Sequence, residues 1–105
     1  MPKTYTGEQE DAVAVASRPR LKRPPLYKVI LHNDDFTTMD FVIYVLQTVF
    51  ARTETEAVAV MLAVHTEGSG VAGIYTFEIA DTKAAKVIEL AQSHEYPLLC
   101  TVEEE

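Results

Sequence analysis

Cysteine is almost absent from this 105-residue sequence, in which Cys100 is the one example. A single thiol cannot form a disulfide within the chain, and this usage is typical of a reducing compartment. The sequence also lacks an apolar run near the roughly 20 residues that a membrane-spanning helix needs. Its first residues do not place a basic region before an apolar one, so they do not resemble a secretory signal. We therefore expect a cytoplasmic protein that does not associate with a membrane.

Basic residues are scarce, and they are concentrated near the N-terminus. Lysine and arginine number 9 against 16 aspartates and glutamates, for a formal net charge of -7. Residues 1–25 hold five of the basic and three of the acidic residues, which leaves four basic and thirteen acidic ones in the remainder. An acidic domain repels phosphate backbones and weakly attracts cations. We therefore do not expect nucleic acid as a partner.

Recognised motifs of catalysis and metal binding are missing as well. The sequence has no HExxH, no paired CxxC, no calcium loop, no GxSxG and no phosphate-binding glycine loop. Cys100 lies in an apolar segment with no base near it in sequence, which makes it a poor nucleophile. We expect no enzyme, no cofactor and no metal. A metal-dependent hydrolase using His32, Asp34, Asp35 and His65 stays open as an alternative.

The chain divides at a pair of prolines, Pro24 and Pro25. Residues 1–25 mix Gly, Thr, Glu, Arg and Pro without a sustained period, and we interpret them as a mobile N-terminal extension. Residues 26–105 are then one domain, since a chain of this length with 48% hydrophobic residues suits a single core.

Apolar periodicity and capping signals predict the element order β-α-α-β-α-β. Residues 27–32, 71–80 and 98–102 have strand patterns. A capping box of Thr37 with Asp40 predicts a helix through about Ala51, and Thr53 with Glu56 predicts a second helix that Gly68 ends. Asp81 is expected to cap a third helix over residues 83–94. Three strands most simply form an antiparallel sheet packed against the three helices, an α+β fold.

The most informative feature is an acidic turn that begins with Asn33, Asp34 and Asp35 and lies between the first strand and the first helix. A free α-amino group is cationic near neutral pH and brings three donors, so its burial requires acceptors. Asn33, Asp35 and His65 could supply an amide oxygen, a carboxylate and a ring nitrogen. Apolar residues of the two following helices could form a hole for an attached side chain. The same composition is also ordinary for a helix-entry turn, which leaves a purely structural role open.

An ordered set of segments resembles the ClpS family, adaptors that deliver N-degron substrates to the ClpAP protease. The segments are YKVIL at 27–31, NDDFT at 33–37, MDFV at 39–42, MLAVH at 61–65, ADTK at 80–83 and PLLCT at 97–101. They follow the family order and span residues 24–103. The resemblance implies binding of the free α-amino group and the bulky first residue (Leu, Phe, Tyr or Trp) of a substrate. It also implies delivery of that substrate to the ClpA unfoldase.

The resemblance implies roles for individual residues. Asn33 and His65 match residues that bind the α-amino group, Asp35 assists through water, and Asp34 holds the peptide backbone. The pocket for the first side chain matches Thr37, Met39, Val42, Met61, Val64 and Leu98. Met39 matches a gatekeeper that crowds the pocket against Ile and Val. Docking on the N-terminal domain of the unfoldase is implied for Phe36, Glu78 and Lys83.

Three positions depart from the family pattern. His32 stands where an apolar residue is usual, Phe36 where Tyr is common, and Thr38 where Pro is frequent. The pocket positions are intact. We expect a monomer whose extension enters the unfoldase pore during handover. The alternative from another class is a structural interaction module that resembles the C-terminal domain of the ribosomal stalk protein.

Overall fold

Three strands and three helices make up the folded part of the chain. A computed structural model describes residues 23–105, so residues 1–22 of the predicted extension lie outside it. The elements are β1 (Leu26–His32), α1 (Met39–Thr48), α2 (Glu54–Glu67), β2 (Ser69–Thr76), α3 (Phe77–Ser93) and β3 (Leu99–Glu104). The predicted order β-α-α-β-α-β is confirmed.

The strands form one antiparallel sheet in the order β2-β1-β3. β1 lies in the centre, where Val29 and Leu31 are fully buried. The register places Leu26 opposite Thr76 at one end of β1, and His32 opposite Ser69 and Leu99 at the other end. The predicted antiparallel α+β arrangement is therefore confirmed, and the end of β1 that leads into the acidic turn lies beside the beginnings of β2 and β3.

The helices enclose the core against this sheet. α3 contacts all three strands, α2 packs on β2, and α1 packs on α2. Along α3, Ala80, Ala84, Val87 and Ala91 recur at helical spacing and are buried, which fixes the face that meets the sheet. Within residues 23–105, none of the helices combines the length and apolarity needed to cross a membrane.

Both boundaries of α1 differ from the sequence prediction. α1 is capped by Thr38, whose hydroxyl accepts a hydrogen bond from the Phe41 N–H at 3.1 Å. The predicted cap, Thr37, instead donates its hydroxyl proton to Asp34. α1 ends at Thr48, before Ala51, which has a left-handed φ of 53°. A helix cannot continue through that conformation.

The third helix begins earlier than predicted. The strand expected over residues 71–80 ends at Thr76, and α3 starts at once with Phe77, so Asp81 lies inside the helix rather than at its cap. Burial of Ala80 in phase with Ala84 explains the earlier start, because the helical face already meets the core there. The capping box of Thr53 with Glu56 and the stop at Gly68 are both present as predicted.

Candidate functional site

The acidic turn is held in shape by Asp34. Its Oδ1 accepts hydrogen bonds from the backbone N–H groups of Phe36 at 2.8 Å and Thr37 at 2.7 Å. Its Oδ2 accepts the Thr37 hydroxyl at 2.7 Å. Partial burial alone would raise the pKa of this carboxyl, but the hydrogen bonds from Thr37 and Phe36 outweigh burial and lower it. Asp34 is therefore an ionised residue that shapes the loop.

The turn is joined to α2 by one backbone hydrogen bond. The Asn33 N–H donates to the Gly68 carbonyl at 2.9 Å, and the Gly68 N–H donates to Val64 at 3.1 Å. Gly68 has a φ of 93°, the left-handed conformation that ends a helix and that glycine adopts at low cost. The end of β1 and the last turn of α2 are thus held together, and Asn33 and His65 line the same cavity.

A cavity of about 250 Å³ lies between the acidic turn, the start of α1 and the second half of α2. Its lining contains both polar and apolar residues. The polar residues are Asn33, Asp34, Asp35, Thr37 and His65; the apolar residues are Met39, Val42, Met61 and Val64. All nine were named from the sequence as candidate site residues. The structure therefore brings together two segments that are about 25 residues apart in the chain.

The apolar residues of the lining differ in their exposure. Val42, Met61 and Val64 are buried, whereas 45% of Met39 is exposed. Val64 packs closely on β2, since a Cβ at Gly70 would lie 2.9 Å from its Cγ2 atom. A cavity lined by carboxylates and by buried apolar side chains suits a ligand that has a cationic end and an apolar group.

Leu98 is the one predicted pocket residue that does not line this cavity. It is buried in the hydrophobic core at the entry to β3. Its side chain packs with the residues that carry the wall, and a direct contact with a ligand stays a prediction.

The alternative set of metal ligands is not assembled. His32 lies outside the cavity lining, and its Nε2 is hydrogen-bonded to the Thr101 hydroxyl at 2.8 Å. In the part of the chain that the structure describes, no three His, Cys, Asp or Glu side chains are grouped as a metal site would need. The carboxylates of the turn are therefore better placed to meet an organic cation.

The three predicted docking residues belong to two separate segments, the turn before α1 and the first two turns of α3. The Lys83 ammonium donates to the Val49 carbonyl at 2.8 Å, just beyond the C-terminal end of α1, and lies 5.2 Å from the Tyr75 ring centroid. Glu78 is exposed in the first turn of α3. Phe36 is 74% exposed and precedes the other end of α1, about 15 Å away along a ten-residue helix. Lys83 thus joins α3 to α1, a role that its position in the sequence did not reveal.

The structural role of Asp34 was also missed, although the sequence had a signal for it. Asp34 and Phe36 have the spacing of an Asx turn, in which a carboxylate accepts from the backbone N–H two residues ahead of it. Gly68 was recognised as a helix stop. Its carbonyl contact with Asn33 depends on tertiary packing, which a local pattern does not contain.

Comparison with known proteins assigns this chain to a family. Residues 22–101 match the family described as "ATP-dependent Clp protease adaptor protein ClpS". The chain is therefore a protease adaptor, a protein that acts on substrates of a protease without being a catalytic enzyme. It belongs to the ClpS family.

Individual relatives agree with this assignment. The "ATP-dependent Clp protease adapter protein ClpS" of Roseobacter denitrificans is 47% identical over 96 residues, which cover 91% of this chain and 85% of the relative. The protein of the same name from Shewanella piezotolerans is 55% identical over 84 residues, covering 80% and 82%. Among solved structures, Agrobacterium tumefaciens ClpS2 bound to L-phenylalaninamide is 42% identical, with a TM-score of 0.76 over 79% of this chain and 100% of that one.

Proposed function

We propose that this adaptor binds the free α-amino group and the bulky hydrophobic side chain of a protein's first residue. The observation that carries the proposal is that Asn33, Asp35 and His65 line the same cavity as Val42, Met61 and Val64. The first residue of a protein has the matching chemistry, because its ammonium group and its side chain are both bonded to the same Cα atom. The substrates are thus N-degron proteins that begin with Leu, Phe, Tyr or Trp.

Binding of the substrate's ammonium group requires hydrogen-bond acceptors and not only a nearby negative charge. Its three donors cost several kcal/mol to bury unless each is paired. The Asn33 amide oxygen, the Asp35 carboxylate and an unprotonated nitrogen of His65 can accept them. Asp34 stays closer to the loop, since three of its hydrogen bonds are already made with Phe36 and Thr37. We propose that Asp34 also accepts a hydrogen bond from the peptide backbone, through a lone pair that these three hydrogen bonds leave free.

The apolar wall provides the larger share of the binding free energy. Burial of an aromatic side chain of about 150–250 Å² contributes about 4–6 kcal/mol at roughly 25 cal/mol per Å². Part of this is lost to the entropy of association. A cavity of about 250 Å³ is smaller than the roughly 300–1,000 Å³ of sites for drug-sized ligands, which suits the side chain of a single residue.

The neighbouring structure supports this assignment. The Agrobacterium protein is bound to L-phenylalaninamide, a compound with a free α-amino group and a phenyl ring but no peptide beyond its first residue. A ligand of that size is enough to fill a cavity of the kind seen here. The similarity of the two folds makes the same chemistry the best candidate for this chain.

The test is a fluorescence-anisotropy titration with a Phe-initiated peptide, free or acetylated at its amino terminus. Acetylation removes the charge and two donors, so we expect binding to be lost. Asp35→Ala and His65→Ala should each weaken binding of the free peptide at least tenfold, because each removes an acceptor for a buried donor. Asp81→Ala, which removes an exposed carboxylate of α3, is the control. Equal affinity for the free and acetylated peptides would refute the proposal and favour the structural-module alternative.

We further propose that the bound substrate is handed to the ClpA unfoldase of ClpAP, whose N-terminal domain docks on the end of the molecule that carries Glu78 and Lys83. Both residues lie near the first turns of α3, away from the cavity, so an unfoldase and a substrate could bind together. Phe36 lies at the cavity end and would make a separate contact. The adaptor acts as a monomer in the cytoplasm under this proposal.

A further inference from the structure

The cavity is lined by two methionines that differ sharply in exposure. Met39 is 45% exposed, whereas Met61 is 8% exposed and belongs to the core cluster. Met39 is the first residue of α1 and follows its N-cap directly. Much of Met39 is therefore accessible to small molecules in solution, although its side chain also lines the cavity.

We propose that Met39 is a reversible oxidation site through which peroxides weaken ligand binding. In this step the O–O bond of the peroxide breaks, one oxygen atom bonds to the Met39 sulfur, and the other leaves as water or alcohol. The sulfur is oxidised by two electrons and the peroxide is reduced by two. A methionine sulfoxide reductase with a dithiol as reductant returns the thioether, releasing water and a disulfide. The inference rests on the proposed binding of hydrophobic first residues.

The surroundings of Met39 explain why the sulfoxide would be harmful. Oxidation converts a flexible apolar side chain into a polar one. A sulfoxide oxygen is an acceptor, and the lining carboxylates of Asp34 and Asp35 cannot donate to it. The Thr37 hydroxyl proton is already directed to Asp34 at 2.7 Å. The donors that remain among the lining side chains are the Asn33 amide N–H groups and a His65 ring N–H. Water can pair with the sulfoxide oxygen while the cavity is empty, since 45% of Met39 is exposed, and an apolar ligand that covers this oxygen would have to displace that water.

The other sulfur atoms of the described residues are protected. Met61 is buried beneath the cavity. Cys100 is buried in β3, and its burial raises the pKa of the thiol to about 12, so little reactive thiolate exists at neutral pH. Among the sulfur atoms of the described residues, we therefore expect that of Met39 to react fastest with a peroxide.

The first measurement follows oxidation itself. The full chain is treated with hydrogen peroxide for increasing times, and peptide mass spectrometry quantifies the sulfoxide at each methionine. We expect Met39 to oxidise at least tenfold faster than Met61. Equal rates at the two positions, or faster oxidation of Met61, would overturn the proposal.

The second measurement follows binding of a Phe-initiated peptide in the same samples. Affinity should fall roughly tenfold in step with Met39 oxidation, and methionine sulfoxide reductase should restore it. Met39→Leu removes the sulfur, so its affinity should not change on treatment when compared with its own untreated value. Met61→Leu should remain as sensitive as the natural sequence.

The outcomes separate this inference from the proposed function. Unchanged affinity at complete Met39 oxidation, or an equal loss in Met39→Leu, would overturn the inference alone. Absence of peptide binding before any treatment would overturn the proposed function and the inference with it.

Discussion

Both oxygens of the Asp34 carboxylate accept hydrogen bonds from Thr37, and one of them also accepts from Phe36. Its neighbour Asp35 is exposed and lines the cavity. Two adjacent residues of one type thus differ in their surroundings, because the loop's hydrogen bonds engage the Asp34 carboxylate, while we propose that the Asp35 carboxylate meets the ligand. Both residues could be selected as candidates from the sequence. The hydrogen bonds that distinguish Asp34 from Asp35 depend on the geometry of the loop.

We predict that Asp34→Ala lowers the free energy of unfolding by about 1–2 kcal/mol, since it removes the acceptor for a turn that is only partly exposed. Asp34→Asn should cost less, because its amide oxygen can still accept from the backbone. Urea unfolding measures both. Asp35→Ala is the matched control and should stay within about 0.5 kcal/mol of the natural sequence. Equal losses at positions 34 and 35 would contradict this division.

The contribution of Asp34 should also depend on pH. Its pKa is lowered in the folded state, so its stabilisation is complete above the ordinary value of 3.8. It disappears as the pH falls through the lowered pKa, where the folded carboxylate becomes protonated. Urea unfolding at several acidic pH values should show the natural sequence and Asp34→Ala converging there. A constant difference down to the lowest pH would show that the charge is irrelevant.

Met39 should control which first residues can enter the cavity. We predict that Met39→Ala admits peptides that begin with Ile or Val, because a shorter side chain leaves room for a branch at Cβ. Titrations with Phe-, Leu-, Ile- and Val-initiated peptides measure the change in selectivity. Affinity for Phe is the internal reference. Continued exclusion of Ile and Val would place the gatekeeper elsewhere in the wall.

At the scale of elements, Gly68 joins α2 to the end of β1. Its φ of 93° is strained for other residues, while a Cβ at this position would meet no atom within 4 Å. A substitution therefore tests the backbone conformation without a steric clash. We predict that Gly68→Ala costs about 1–2 kcal/mol in urea unfolding and that Gly68→Asn costs less. Full stability of the alanine variant would show that the chain can leave the left-handed conformation without loss.

The elements that were predicted well are those with strong local chemistry. At the N-terminus of α2, the side chains of Thr53 and Glu56 each accept a hydrogen bond from the other residue's backbone N–H. Glycine is the favoured residue where a helix ends in a left-handed conformation, so both ends of α2 could be predicted from the sequence. The start of α3 could not, because Phe77 and Ile79 have strand propensity and Thr76 makes no side-chain cap. Packing of Ala80 against the core decides that boundary. Local patterns thus located both halves of the cavity, but tertiary contacts set the exact entry of α3.

At the scale of the whole molecule, β1 runs between the two ends for which we propose different functions. Asn33 follows its C-terminal end, whereas Leu26 at its other end pairs with Thr76, directly before α3. Seven residues at about 3.3 Å each place these ends roughly 20 Å apart. A protein docked around Glu78 would therefore leave the cavity open. Under the proposed function, this separation would allow a substrate and an unfoldase to bind at the same time.

Glu78→Ala should therefore weaken binding to the N-terminal domain of a ClpA-type unfoldase at least severalfold and leave affinity for a Phe-initiated peptide unchanged. Asp35→Ala should do the reverse. Surface plasmon resonance with the immobilised unfoldase domain and anisotropy with the peptide measure the two affinities separately. Glu89→Ala is the charge-matched control on α3, because its ion pair with Lys86 is exposed, 3.7 Å long and of little energetic value.

Lys83 needs a different treatment, since its ammonium group holds the Val49 carbonyl and lies over the Tyr75 ring. Lys83→Met retains much of the apolar stem but removes the donor, and we expect it to lower both stability and unfoldase binding. Urea unfolding of the same sample distinguishes the two effects. If Glu78→Ala binds the unfoldase domain as tightly as Glu89→Ala does, docking cannot involve the first turn of α3. The end of the molecule opposite the cavity would then need another function, and Phe36 at the cavity end would become the leading candidate for the contact.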